Sequence, residues 1–188
     1  MLPQDVAKTE ADIRLPFLFI LFALLSFLTA LGLLMMKADA IIEGMYRSPS
    51  VWTATHLLVL GWGTMVAMGA MYQLVPVAFL VQIWSMRLGF VQFVITAIDV
   101  LSLAVSFSVH LRWLPVSGGL TVVGILLFLL QMVMTIKNQK EKNVISLFVI
   151  SALFCLFLTI LLGLLLAANL GSDLSFFNQV VLLKSHIL

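Results

Sequence analysis

Charge is scarce in this chain, and cysteine is almost absent. Only 10% of its 188 residues are charged, ten basic and eight acidic, against about 25% in an ordinary soluble domain. The net charge of +2 is scattered over separate loops, which leaves no basic footprint for nucleic acid. The single cysteine, Cys155, lies inside an apolar run. It excludes an intrachain disulfide and is read as a small packing hydrophobe. What fills the chain is apolar: 63% hydrophobic residues with a mean hydropathy of +1.20. That balance belongs to an integral membrane protein whose lipid bilayer is its solvent.

Crossing about 30 Å of hydrocarbon takes roughly 20 apolar residues at about 1.5 Å each. Five runs reach that length, at residues 16–36, 51–75, 88–109, 114–136 and 144–170. Pro16 suits a first helical turn, and Pro76 with Arg87 beyond it marks the exit of the second helix. Residues 77–86 are then expected along the interface, with Trp84 at the boundary. A sixth run, 175–188, gives only about 21 Å of helix. The expectation is an all-α polytopic membrane protein with five full transmembrane helices plus the start of a sixth, the N-terminal portion or a truncated form of something longer.

The first 15 residues carry Asp5, Lys8, Glu10, Asp12 and Arg14, a pattern unlike a cleavable signal peptide. Lys8, Arg14, Arg87, Lys137, Lys140 and Lys142 fall on the side of the N-terminus, against Lys37, Arg47 and Arg112 on the other. The basic excess places residues 1–15 in the cytoplasm, with 16–188 as one multi-pass domain of the cell membrane. His56 and His186 then share the outer part of the bilayer. Lys184 is placed to snorkel to that surface.

An imidazole inside a hydrocarbon-length helix is costly and marks a candidate ligand. His56 lies in the second helix and His186 in the sixth, 130 residues apart, a spacing that suggests a four-helix pseudo-repeat. At helical spacing from His56 stand Leu60, Gly63, Ala67, Ala70 and Leu74, a flat stripe that admits a porphyrin edge or serves ordinary close helix packing. In the third helix Gln92, Thr96, Asp99, Ser106 and His110 share one stripe, with Ser102 adjacent. Asp99 at mid-membrane costs on the order of 3 kcal/mol unless partnered. It is either a proton-path group with Thr96 and Ser106 or a hydrogen-bonded packing residue. His110, Arg112 and Trp113 suit the outer boundary.

The segment His56, Leu57, Leu58, Val59, Leu60, Gly61, Trp62, Gly63, followed by Gly69, Ala70, Met71, Tyr72, Gln73, Leu74, Val75, Pro76, resembles the second helix of the heme-copper oxidase subunit I superfamily. It is nearest to cbb-type oxidases and nitric oxide reductases, and to NnrS-like heme proteins. The resemblance implies twelve helices in three pseudo-repeats, with histidines on helices two, six and ten facing the centre. It makes His56 an axial ligand of a low-spin heme, and places His186 where the sixth helix offers a ligand to copper. Gly63, Ala67 and Ala70 would flank the porphyrin, and Lys37, Arg47 or Arg112 would pair with its propionates. The function implied is oxidoreductase electron transfer to oxygen or nitric oxide in a complete respiratory enzyme.

The chain departs from that pattern where it stops. The Pro-Glu that usually follows the sixth-helix histidine is not seen, nor are helices seven and ten. A second heme ligand would come from a partner chain, from missing helices, or from Met65 or Met68, and copper would need the missing helices. This chain alone is expected to be inactive. The other class is a cofactor-free transporter-like or scaffold protein whose buried His and Asp serve packing, completed by a second subunit or by self-association.

Overall fold

The computed structural model describes residues 13–45, 48–139 and 144–171. His186, Lys184, Arg47, Lys140, Lys142 and residues 1–12 lie outside these. Every regular element among the described residues is helical, and five helices are long and apolar enough to span a membrane. They are α1 (Arg14–Met36), α3 (Pro49–Phe79), α4 (Met86–Ser108), α5 (Leu111–Ile136) and α6 (Val144–Gly171). A short α2 (Ala38–Ile42) follows α1.

Each span begins and ends within a few residues of its apolar run, because length and hydropathy alone select it. The exception is α3, which runs through Pro76 to Phe79. Leaving the helix at the proline would expose several unpaired backbone groups to hydrocarbon, whereas continuing forfeits a single hydrogen bond. The helix stops only where Leu80 turns left-handed at φ 52° and the Val81 amide returns to the Pro76 carbonyl at 3.0 Å.

Successive spans pack as antiparallel neighbours, with further contacts from α1 to α4 and from α3 to α5. With no water to expel between helices, close backbone approach is the main source of affinity. A Cβ on Gly61 would come within 2.8 Å of Ser26 and 3.1 Å of Val100, so this glycine lets α3 touch α1 and α4 together. A Cβ on Gly124 of α5 would meet the Thr96 hydroxyl of α4 at 2.8 Å. The main core joins Leu15 and Phe19 of α1 to Met65, Met68 and Tyr72 of α3 and to Phe128 and Met132 of α5. α6 is peripheral, its span 17% buried against 44% for α5.

Candidate functional site

His56 lies seven residues beyond Pro49 in α3, one turn after the partly buried Trp52, and its ring is half-buried. Its Nδ1 lies 2.8 Å from the Trp52 carbonyl one turn earlier. A carbonyl only accepts, so Nδ1 carries the proton in this bond. The ring packs on Phe107 of α4 with centroids 4.4 Å apart and a tilt of 35°. Trp52 meets the edge of the same phenyl at 6.0 Å, and Thr53 bonds Ser108 at 3.1 Å beside them. The Phe107 ring, itself backed by Trp52, and a backbone bond therefore hold the imidazole between α3 and α4.

Immediately after His56 the helix changes hand-hold. Leu57–Thr64 is π-helical, a winding rare in proteins and frequent at functional sites. The wider turn changes which residues share a face. An α-helix turns about 100° per residue, which would put Tyr72 roughly 160° around the axis from His56. Yet both face α4, for the Tyr72 hydroxyl donates to Gln92 Oε1 at 3.2 Å and Met68 Sδ accepts from Gln92 Nε2 at 3.3 Å.

The stripe expected beneath His56 is broken for the same reason. Gly63, Ala67 and Leu74 are exposed and Ala70 is half-buried. Gly63 and Ala67 instead line an apolar groove of about 540 Å³ between α3, α5 and α6, with Trp62, Met71, Phe128 and Leu156; His56 is not in its wall. Met65 and Met68 also fail as second ligands to an iron at His56. They stand nine and twelve residues along the same helix, about two and three turns away along the axis, and the Met68 sulfur is engaged by Gln92.

The polar stripe of α4 is real and is half of a larger seam. Gln92, Thr96, Asp99 and Ser106 are all buried, and α5 answers with Ser117, Thr121, Gln131 and Thr135, also buried. Thr121 donates to Asp99 Oδ1 at 2.5 Å, Ser106 and Ser117 share a bond of 3.1 Å, and Gln92 Nε2 donates to Thr96 at 2.9 Å. Toward Arg87 and Lys137, Gln131 Nε2 donates to the Ser85 carbonyl at 2.9 Å and the Trp84 amide to Thr135 at 3.2 Å. The α5 half was legible in the sequence, since Ser117, Thr121, Gly124, Gln131 and Thr135 recur at steps of three, four and seven. It was missed because none of these is ionisable.

His110 does not belong to the stripe. α4 ends at Ser108, and His110 lies exposed ahead of the short 3₁₀ turn Leu111–Trp113. Lys37 and Arg112 are exposed at the same end as Ser108 and Pro49. Among the described residues no three His, Cys, Asp or Glu side chains gather as a metal site, and the proposed copper ligand, His186, lies outside them. Compared with protein-family models, with curated proteins and with solved structures, the chain matches none.

Proposed function

We propose that this membrane protein binds heme through His56, and that in a complete assembly the bound heme passes electrons toward oxygen or nitric oxide. The observation that carries the reading is the Nδ1 bond to the Trp52 carbonyl at 2.8 Å. Ligating histidines commonly donate their other ring nitrogen to such an acceptor, which fixes the tautomer and aims Nε2. A ring held by the Trp52 carbonyl and the Phe107 ring loses little further freedom on ligation. Heme would supply the redox centre; the chain's own part is to orient the imidazole and keep the site apolar.

His56 is one axial ligand. The second belongs to residues outside the described ones, to a second subunit or to a second copy, since the α3 methionines are out of reach. Copper at His186 would require further helices. The excess of basic residues near Arg14, Arg87 and Lys137 supports a cytoplasmic N-terminus in the cell membrane. Thr96, Asp99 and Ser106 remain the candidates for proton movement beside such a centre.

A cofactor-free scaffold is the second reading, favoured by the Thr121–Asp99 bond. A carboxyl answered by a neighbouring helix is what packing alone requires. The optical spectrum separates the two. The purified full chain, supplied with hemin and reduced with dithionite, is expected to show a Soret band with sharp α and β bands that vanish in His56→Ala. A well-folded sample with a featureless visible region would overturn heme binding by this chain and favour the scaffold.

A further inference from the structure

We infer that the π-helical stretch Leu57–Thr64 is the device that aims His56, and that the Thr64 hydroxyl is the positioning group that holds it. The importance of that aim rests on the heme reading above; the aim itself does not.

Hydroxyls elsewhere in the bundle turn back on the carbonyl four residues earlier. Thr29 does so to Leu25, Thr55 to Val51, Thr96 to Gln92 and Thr135 to Gln131. Thr64 reaches five residues back, to the Val59 carbonyl at 2.9 Å. That carbonyl is the one an i→i+5 winding brings beneath it, so the side chain adds a second donor to the π register and to no other. Gly61, at the middle of the stretch, is pressed by Ser26 and Val100, which anchors the wide turn against two helices.

The consequence is a phase correction. A π stretch accommodates about one residue more than α winding over the same turns. His56 above it and Met68 and Tyr72 below it can therefore all meet α4, while Gly63 and Ala67 turn to the groove. With α winding throughout, packing of Tyr72 on Gln92 would swing His56 off Phe107 by roughly 100°.

This makes an asymmetric prediction that a uniform α-helix would not share. In an α-helix, deleting or inserting one residue rotates one flank against the other by the same ~100°. Here, deletion of the outward-facing Val59 should let the stretch wind as α with both flanks in place, whereas one alanine inserted after Val59 should misalign them. The readout is the NMR signal of ring-labelled His56 in the full chain, shifted by the Phe107 ring at 4.4 Å and identified by its loss of that shift in Phe107→Leu. The deletion is expected to keep the shifted signal and the insertion to lose it. Thr64→Val should move the signal toward the unshifted position, and Thr64→Ser should restore it.

A deletion that displaces His56 as far as the insertion does, or that fails to fold, overturns the inference, as does a Thr64→Val signal identical to wild type. Added hemin tests the other reading separately. If wild type gives no α and β bands while the imidazole signals behave as expected, the heme proposal fails and the positioning role stands. If bands appear in wild type and survive the insertion unchanged, the positioning role fails.

Discussion

The Thr121 hydroxyl reaches across from α5 to Asp99 Oδ1 on α4 at 2.5 Å, deep in a seam where both side chains are buried. Asp99 is the one acidic residue among the described spans that lies fully inside the bundle, and its partner comes from the adjacent helix. Thr121→Val keeps the shape and removes the donor, leaving a buried carboxyl without this bond at a cost of about 1–3 kcal/mol. Asp99→Asn retains an acceptor and should cost less. Thermal unfolding of the two variants in the same detergent checks the order; equal stability to wild type for Thr121→Val would show the bond to be incidental.

The same residue tests proton movement. If Asp99 relays protons, Asp99→Asn in vesicles should abolish a proton flux that wild type shows, with unfolding temperature little changed. If it serves packing, flux is absent in both.

Gly124 faces Thr96 with no room for a methyl group, since a Cβ there would lie 2.8 Å from the Thr96 hydroxyl. Gly124→Ala should therefore destabilise by about 1–3 kcal/mol, the usual cost of overpacking, although alanine is the better helix former. Gly119, with nothing within 4 Å of its would-be Cβ, is the control. Gly119→Ala should be neutral or stabilising in the same assay.

Tyr72→Phe removes the donation to Gln92 and keeps the ring, which lies 5.5 Å from Phe19 and 6.0 Å from Phe128. The expected loss is about 0.5–1.5 kcal/mol. Tyr72→Ala also empties the ring's place in the core and should cost several-fold more, a contrast that chemical denaturation in mixed micelles can resolve.

The groove opens on the outside of the bundle, so filling it should be tolerated. Ala152→Phe places a ring where Trp62 and Met71 already form an apolar wall, and little or no loss of stability is expected. Trp62 is 43% exposed beside this groove. Its fluorescence should be quenched by brominated acyl chains in vesicles, and less so once Ala152→Phe occupies the space.

Composition and run length determined the class of this protein and the number of its described spans, because hydrocarbon thickness sets a length that the sequence either meets or does not. The polar stripe of α4 was legible for a similar reason: Gln92, Thr96, Asp99 and Ser106 follow the period of an α-helix, and buried polar groups in a membrane turn inward. The face below His56 was not legible. Its projection assumed one winding along α3, and nothing in the types of residues 57–64 announces a π-helix. That winding depends on contacts the sequence does not display, Ser26 and Val100 closing on Gly61, Tyr72 meeting Gln92 and the Thr64 hydroxyl reaching the Val59 carbonyl. Pro76 misled in the opposite direction, since a local helix breaker yields where the alternative is bare backbone in lipid. The sequence by itself determined what must lie in the membrane, through transfer energies that add residue by residue. Only the tertiary structure decided which way His56 points, because rotation about a helix axis is chosen by the contacts that neighbouring helices make.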